Sequence, residues 1–339
     1  MRLLLLGFGT VGQGLAELLI EKEPVLKNTY NMECRVVGIA DMLKGSIYNA
    51  DGIDLKAALE KAKAGDRLTD LGDAFAGDAL EMVKSANAEM MIEMTYTDIK
   101  TGEPATSHIR AALEKGMHVT TSNKGPVALF LNELTALAKS RGVKFLYEGT
   151  VISGTPLLNL VRETLAASRI TEMKGILNGT TNYILTRMEE GMGYDDALKK
   201  AQELGYAEAV PDADVLGWDA LAKVTILANA VFGANNKPDD FPCKGITGIT
   251  PDAINDAKAR GKRFKLVGKV WREGDRVKGS VGPEEVDLAH PLAGIMGATN
   301  AVTIRTDTLG DVTIVGPGAG RTETGYSMLV DIIAAGGVR

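Results

Sequence analysis

The sequence predicts an α/β fold made of two domains, and three observations support that class. Up to about residue 150, short apolar runs alternate with amphipathic helical segments, which is the pattern of a parallel sheet with crossover helices. Between residues 262 and 315 several strand-like segments follow one another instead, which indicates a second domain of α+β type. The length of 339 residues also exceeds what a single hydrophobic core usually organises.

The composition is that of an ordinary globular protein, and it excludes several classes of partner. Hydrophobic residues make up 45% of the chain and charged residues 24%, so a core of normal size is available. The 38 basic and 44 acidic residues give a net charge of −6, which argues against a nucleic-acid partner. The apolar start of the chain reaches a glycine after six residues, too few for a signal sequence or a membrane span. Cys34 and Cys243 provide neither a disulfide framework nor a metal-ligand spacing, so we predict a cytoplasmic protein.

The chain begins with a predicted strand that runs directly into a glycine-rich turn. Residues 2–6 are apolar, a helix is predicted over 11–23, and between them lies the sequence Gly7-Phe8-Gly9-Thr10-Val11-Gly12. In this context Gly7 permits a tight turn, Gly9 lets the backbone approach a pyrophosphate, and Gly12 lets the helix pack on the strand. The N-terminus of the helix then faces the phosphates. We therefore predict a Rossmann domain that binds a dinucleotide.

The end of the second strand leaves the choice between NAD and NADP open. The strand predicted at 35–40 is followed by Asp41, and an acid at this place binds the ribose hydroxyls of NAD. Asp41 lies 29 positions after Gly12 (41 − 12) rather than the usual distance of about 20. The insertion at 24–32 accounts for the difference. Lys44 offers a cation for the 2′-phosphate of NADP instead.

Two further strands end in residues that would lie at the same edge of the sheet. The strand predicted at 88–94 is followed by Thr95, and Lys124 follows the strand predicted at 118–121. Ligands bind at the carboxyl ends of the strands in an open parallel sheet, so Thr95 is expected beside the cofactor. Lys124 is either a solvated loop residue or a group that lies over the same crevice.

Small polar residues follow the strand predicted at 168–178, in the sequence Asn178-Gly179-Thr180-Thr181-Asn182. Such a cluster is either a turn with a helix cap or a set of hydrogen-bonding groups for a small polar substrate. The helices predicted next, at 181–190 and 194–204, lead to the most informative segment of the chain.

That segment, from 215 to 232, is apolar on nearly all sides, which is typical of a buried helix. Two charged residues interrupt it, Asp219 and Lys223, and their spacing of four places them on one face. They form either an ordinary ion pair or a pair used in catalysis. None of the three histidines and neither cysteine lies in a catalytic context, so lysine and carboxylate remain as the acid–base groups.

The last part of the chain is predicted to return to the first domain. Strands are expected at 262–271, 276–281, 298–306 and 311–315, and the glycine turn at 316–320 leads into a helix at 322–335. We predict a nucleotide-binding domain at 1–135 and a substrate-binding and dimerisation domain at 136–315. The turn and helix at 316–339 would pack back on the first domain.

Six separated segments together resemble the homoserine dehydrogenase family, over nearly the whole chain. They lie at 7–12, 122–124, 148–156, 175–184, 205–223 and 316–320 with Thr324. The resemblance implies reversible, NAD(P)-dependent interconversion of L-aspartate 4-semialdehyde and L-homoserine by hydride transfer, in threonine and methionine biosynthesis. It also implies a homodimer and the monofunctional form without a regulatory domain.

The resemblance assigns roles residue by residue. Lys223 would be the acid/base group, and Lys124 would be a second lysine at the reacting carbon and the cofactor. Substrate contacts would come from Gly179, Thr180, Glu208, Asp214 and Asp219. Cofactor contacts would come from Gly7, Phe8, Gly9, Thr10, Val11, Gly12, Asp41, Lys44, Thr95, Lys124, Gly205 and Gly320.

The resemblance also implies a sodium ion, bound by oxygens of Glu148, Val151, Ser153 and Thr155. Ile152 is a departure, because the family usually has a small residue there. We further expect Asp219 to direct its charge at the substrate and only partly at Lys223. Two alternatives stay open, namely a non-catalytic NAD(P)-sensing protein of the same fold and another semialdehyde reductase.

Overall fold

The computed structural model describes residues 1–96 and 98–337 and divides into two compact units. The first unit contains Met1–Gly154 together with the chain from Ala319 onward, and the second contains Thr155–Gly318. The sequence placed the domain limits after residues 135 and 315. The first unit continues beyond 135 because a short strand, Phe145–Leu146, pairs with the first sheet.

The first unit is built on a seven-stranded sheet that is parallel over most of its width. Five strands run parallel, and an antiparallel pair, β3 and β4, extends one edge. The strands are β1 (Arg2–Leu6), β2 (Arg35–Asp41), β3 (Gly45–Tyr48), β4 (Asp73–Ala74), β5 (Met90–Glu93), β6 (His118–Thr121) and β7 (Phe145–Leu146). Their order is β4-β3-β2-β1-β5-β6-β7, so the chain leaves β1 on one side for β2 and later continues on the other side with β5. That reversal is the switch point at which open α/β sheets bind ligands, as a Rossmann domain requires.

Within the described residues, six α-helices and one 3-10 helix (Glu148–Thr150) of the first unit precede residue 154. The α-helices are α1 (Thr10–Glu21), α2 (Glu23–Tyr30), α3 (Leu55–Ala64), α4 (Ala79–Ser85), α5 (Ala105–Glu114) and α6 (Lys124–Ser140). The insertion at 24–32 is largely helical, because Pro24 lies in the first turn of α2, where a missing N–H costs nothing. Pro24 therefore starts a second helix rather than only ending the first.

The second unit is an antiparallel five-stranded sheet in the order β10-β9-β8-β11-β12. Its helices are α7 (Leu158–Glu163), α8 (Gly179–Glu189), α9 (Tyr194–Glu203), α10 (Asp212–Val215), α11 (Trp218–Phe232) and α12 (Pro251–Ala259). Its strands are β8 (Ile170–Ile176), β9 (Lys262–Glu273), β10 (Arg276–Asp287), β11 (Thr299–Thr306) and β12 (Gly310–Pro317).

The apolar segment at 215–232 is not one helix, and this part of the sequence prediction was wrong. Gly217 has a φ of +87°, a left-handed conformation that ends α10 and allows α11 to start in a new direction. Helix α11 then approaches the sheet closely, since a Cβ added at Gly268 or at Gly279 would lie 2.9 Å from the side chain of Val224. The two strand glycines thus set how closely α11 packs on the sheet. They also set the depth of Lys223, the residue before Val224.

The last helix, α13 (Arg321–Ala335), belongs to the first unit and packs along α1, as predicted. Glycines on both helices allow the close approach, because a Cβ added at Gly14 would lie 2.2 Å from the carbonyl oxygen of Arg321. The Arg321 guanidinium also binds both carboxylate oxygens of Glu17, at 2.9 and 3.1 Å. No helix among the described residues is long and apolar enough to span a membrane.

Candidate functional site

The glycine turn at 7–12 has the geometry that its sequence predicts. Gly7 has a φ of +92°, and a Cβ there would lie 2.5 Å from the carbonyl oxygen of Met94. A Cβ at Gly12 would lie 2.4 Å from the carbonyl oxygen of Gly7, so the first turn of α1 needs a glycine. A Cβ at Gly9 would meet nothing in the chain within 4 Å. Gly9 is therefore open, as a backbone that approaches a phosphate must be.

Asp41 ties the end of β2 to this turn. One of its carboxylate oxygens accepts the backbone N–H of Phe8 at 2.7 Å. The other accepts the N–H groups of Leu43 at 3.0 Å and Lys44 at 2.9 Å. The carboxylate is thus fixed beside the glycine turn. Its negative charge there disfavours a 2′-phosphate on the ribose of a bound dinucleotide.

Thr95 and Lys124 follow adjacent parallel strands, β5 and β6. Lys124 is the first residue of α6, and Asn123 caps this helix by accepting the N–H of Gly125 at 3.3 Å. The side-chain amide of Asn123 donates to the carbonyl oxygen of Tyr96 at 2.9 Å, so the two segments are bonded to each other. The order of the strands brings these residues to the carboxyl edge of the first sheet, as the sequence predicts.

In the second unit, Lys223 and Asp219 form a buried ion pair. The ammonium nitrogen lies 2.7 Å from a carboxylate oxygen of Asp219, with side-chain exposures of 9% and 16%. The same nitrogen donates to the carbonyl oxygen of Leu177 at 2.7 Å. One oxygen of Asp219 therefore contacts Lys223 directly and also accepts from Asn178, and the expectation that Asp219 directs its charge at the substrate stays a prediction. The helical spacing of four, together with burial, favours a direct contact.

Asn178 joins this pair to a second carboxylate. Its amide nitrogen donates to Asp214 at 2.6 Å and to Asp219 at 3.0 Å. Burial raises the pKa of the Asp214 carboxyl, and the negative charge of Asp219 raises it further, although Asn178, Lys223 and Thr180 act in the opposite direction. When Asp214 and Asp219 are both ionised, the single positive charge of Lys223 does not balance them, so this cluster has a net negative charge.

Gly179 and Thr180 lie at the start of α8, directly after Asn178. A Cβ at Gly179 would lie 2.5 Å from the carbonyl oxygen of Ala298, so only glycine fits there. The hydroxyl of Thr180 donates to the carbonyl oxygen of Tyr206 at 2.6 Å. The first turn of α8 is thereby bonded to the segment that follows α9.

That segment contains the two remaining residues predicted near the substrate and the cofactor. Gly205 has a φ of +75° and ends α9 in a left-handed conformation. Glu208 is exposed, and its backbone carbonyl accepts a hydrogen bond from the side chain of Gln202 at 3.0 Å. The described contacts do not bring the Glu208 carboxylate into the network of Asp214, Asp219 and Lys223.

The loop predicted to bind sodium contains one strained residue. Ser153 has a φ of +57°, and its hydroxyl lies 2.8 Å from that of Thr324. Glu148, Val151 and Ile152 are buried, so Ile152 is accommodated in the core. In the second unit, Thr155 donates to the carbonyl oxygen of Pro317 at 2.9 Å. Within residues 1–96 and 98–337, no group of three or more histidine, cysteine, aspartate or glutamate side chains could hold a metal.

The closing turn places Gly320 before α13. Gly320 has a φ of +146°, and a Cβ there would lie 2.0 Å from the carboxylate of Glu323. The carboxylate is the far end of a flexible side chain and can move, so it is the backbone conformation that disfavours any residue other than glycine here.

The sequence did not single out Glu93, and it named Asn178 only within a polar cluster whose use it left open between a helix cap and a substrate site. Glu93 ends a buried strand two residues before Thr95, and this position was the available signal. Glu93 is fully buried at the end of β5, and burial raises the pKa of its carboxyl.

Comparisons with known proteins agree with this geometry. Residues 7–148 match the family model described as homoserine dehydrogenase, NAD binding domain, and residues 156–333 match the model described as homoserine dehydrogenase. The chain is 44% identical to an NAD(+)-dependent homoserine dehydrogenase of Pseudomonas canavaninivorans, over 98% of this chain and 95% of the relative. It is 40% identical to a homoserine dehydrogenase of Methanocaldococcus jannaschii, over 98% of both chains.

Solved structures show the same likeness. A putative homoserine dehydrogenase from Archaeoglobus fulgidus superposes with a TM-score of 0.89 at 40% identity, over 98% of each chain. A hyperthermophilic archaeal homoserine dehydrogenase in complex with NADPH gives a TM-score of 0.84 at 33% identity, over 98% of this chain and 97% of that one.

The raised pKa of Asp214 gives a prediction for stability against pH. A carboxyl with a higher pKa in the folded than in the unfolded chain makes the folded state lose stability as the pH rises through that interval. Asp214→Asn should therefore raise the melting temperature at about pH 7, and the gain should shrink as the pH falls toward about 4. Asp212→Asn, at an exposed position of the same helix, is the control and should change little. A gain that grew toward acid pH would contradict this account.

Proposed function

The chain belongs to the homoserine dehydrogenase family, and from this premise we propose the reaction it catalyses and the residues that carry it. The reaction is the reversible oxidation of L-homoserine to L-aspartate 4-semialdehyde with NAD(P), a step of threonine and methionine biosynthesis. One observation supports the assignment of the chemistry above all others. Lys223 is buried against Asp219, and Asn178 joins this pair to Asp214 in a network that follows the polar turn after β8.

Lys223 is the proposed acid/base group. In the reductive direction the aldehyde oxygen gains negative charge as hydride arrives at the carbon, and a proton must reach that oxygen. An ammonium group has three N–H donors. Across the described residues, two of them have acceptors, the carboxylate of Asp219 and the carbonyl of Leu177. These two bonds orient the third donor, which is the one assigned to the substrate oxygen.

The surrounding charges suit an amino-acid substrate. Asp214 and Asp219 share one lysine, so the cluster carries an excess negative charge when both are ionised, which favours an ammonium group. Glu208 adds a carboxylate on an exposed segment that could approach the same group. Gly179 and Thr180 begin an eleven-residue helix, whose N-terminus favours a carboxylate. Binding both ends of the amino acid would hold its reacting carbon in place.

The first unit supplies the proposed cofactor site. A pyrophosphate would contact the turn of Gly7, Phe8, Gly9, Thr10, Val11 and Gly12, and the nicotinamide end would lie near Thr95 and Lys124. Gly205 and Gly320 are assigned to the cofactor from the family resemblance. When bound, the nicotinamide supplies the acceptor or donor of hydride. The residues of the chain orient it and exclude water.

We propose that NAD is preferred to NADP. Asp41 holds a fixed negative charge beside the glycine turn, and a 2′-phosphate would be repelled there. The next two residues, Met42 and Leu43, are apolar and exposed, by 95% and 78%, and offer no cation. The relative from Pseudomonas canavaninivorans is named NAD(+)-dependent, whereas a more distant relative was solved with NADPH. Lys44 is the residue that would favour NADP.

A sodium ion is proposed in the loop that begins at Glu148. Hard cations prefer oxygen ligands, and backbone carbonyls serve where side chains are scarce. The left-handed backbone of Ser153 and the burial of Val151 fit a loop whose backbone carbonyls would bind one ion. Glu148, Val151, Ser153 and Thr155 would supply the oxygens. A higher melting temperature in sodium chloride than in choline chloride would support the ion, and equal values would remove it.

The chain is proposed to work in the cytoplasm as a homodimer. Both expectations come from the family, and the two cysteines are free thiols, as in a reducing compartment. Light scattering of the purified protein would give the mass of the dimer or of a monomer.

The main test is turnover with L-homoserine, followed as formation of reduced nicotinamide. Lys223→Ala should lower kcat by roughly 10²–10⁴-fold, because it removes the proton donor and the cation at the reacting oxygen. Binding of NADH, measured by calorimetry, should stay within about twofold, since the lysine lies in the other unit. Lys199→Ala, on the exposed face of α9, is the matched control and should keep wild-type turnover.

Wild-type turnover in the Lys223→Ala variant would disprove the assignment. A wild-type protein that binds NADH but oxidises no homoserine would instead support the NAD(P)-sensing alternative. Turnover of a different semialdehyde only would support the reductase alternative.

The preference for NAD has its own pair of variants. Asp41→Asn should shift the ratio of kcat/KM for NADP+ to that for NAD+ upward by roughly tenfold, because it removes the repulsion of the 2′-phosphate. Lys44→Gln should leave NAD+ use unchanged and lower the use of NADP+. If Asp41→Asn weakens both cofactors equally, the carboxylate serves only to hold the turn through Phe8 and Lys44.

A further inference from the structure

Glu93 is a fully buried carboxyl at the carboxyl edge of the first sheet, and the mechanism above does not use it. It is the last residue of β5 and is 0% exposed. One of its oxygens accepts the N–H of Thr95 at 3.0 Å and also the hydroxyl of Thr95. The other accepts the hydroxyl of Thr121, at the end of β6, at 3.0 Å.

The hydrogen bonds of Glu93 continue to the helix that begins with Lys124. The hydroxyl oxygen of Thr121 accepts the N–H of Asn123 at 2.9 Å. Asn123 in turn caps α6 through Gly125 and donates to the carbonyl of Tyr96. One carboxyl thus holds the segment after β5 and the start of α6 in a single arrangement.

The partners of Glu93 make this an expensive way to fill a core position. Glu93 accepts from uncharged donors, which are the hydroxyl groups of Thr95 and Thr121 and a backbone N–H. Burial of a carboxylate without a neighbouring cation is costly. Strand β5 lies between β1 and β6, and an apolar side chain at this position would fill the core at less cost. Costly buried polar groups are found where they hold functional segments in place.

We propose that Glu93 is a positioning residue for the cofactor, which fixes Thr95 and Lys124 at the carboxyl edge of the first sheet without contacting the substrate. The inference rests on the proposed function only in that Thr95 and Lys124 are taken to contact the nicotinamide cofactor. Loss of the carboxyl loosens both contacts together, because both segments lose the same anchor. The residues assigned to the ammonium and carboxylate ends of the substrate amino acid belong to the second unit, so its binding changes little.

Two variants of Glu93 separate positioning from simple stability. In Glu93→Ala, the Kd for NADH by calorimetry and the KM for NAD+ should each rise by roughly tenfold or more, while the KM for L-homoserine stays within about twofold. Glu93→Gln keeps the shape and one carbonyl acceptor, and the hydroxyl of Thr121 can turn to accept from its amide. Glu93→Gln should therefore recover cofactor affinity to within about threefold of the wild type.

Met90→Ala is the matched control for damage to the core. Met90 is fully buried on the same strand but lies at its other end. This variant should lower the melting temperature, as any large core truncation does, and leave the Kd for NADH unchanged. Cofactor affinity unchanged in Glu93→Ala, or lost equally in Met90→Ala, would overturn the proposal. The NADH titration requires no turnover, so it remains decisive even if the wild-type protein fails to oxidise homoserine.

Discussion

The second unit depends on the side chain of Asn178 at the end of β8. Its oxygen accepts the N–H of Thr181 at 2.9 Å and so caps α8, while its nitrogen bonds to Asp214 and Asp219. A single amide thus starts a helix and holds two carboxylates that would otherwise repel each other. Because an amide has two donors and an acceptor in fixed positions, neither aspartate nor serine could do both.

In the first unit, too, one polar side chain holds several segments together, but this side chain accepts hydrogen bonds instead of donating them. There a carboxyl, Glu93, collects donors from two strand ends, whereas in the second unit an amide distributes donors to two carboxylates. A second carboxylate, Asp41, joins β2 to the glycine turn. In each case a strand ends in a polar residue whose hydrogen bonds set the geometry of the next segment. The ammonium group of Lys223 is then held by Asp219 and Leu177 rather than by its own flexible stem.

Much of this architecture could be predicted from the sequence, and the failures have physical causes. The glycine turn, the parallel strands and the buried lysine helix follow from periodicity and from residues with one conformational use, such as Gly7. Strands β3 and β4, with the sequences Gly-Ser-Ile-Tyr and Asp-Ala, contain no apolar run and so lack the signal of a buried strand. The break at Gly217 was missed because the apolar pattern continues across it, and only the left-handed backbone shows the change of direction.

The sequence proposes the site as a set of residues but leaves the bonds among them open. Composition and spacing placed Asp219 and Lys223 on one face, yet whether they contact each other depends on their burial, which the sequence does not state. Glu93 was missed, and the role of Asn178 was left open, for a related reason. Their importance lies in partners that are distant in the chain, 36 and 41 residues away for Asn178.

The position of α13 has a consequence for how the chain is made. Its partner α1 is synthesised first, and more than three hundred residues separate Glu17 from the arginine that binds it. During translation the face of α1 around Gly14 therefore stays uncovered until the ribosome has completed the second unit. The nucleotide-binding half, although it begins first, is the half that finishes last. Its nascent form therefore leaves the apolar face of α1 that α13 later covers exposed for most of synthesis.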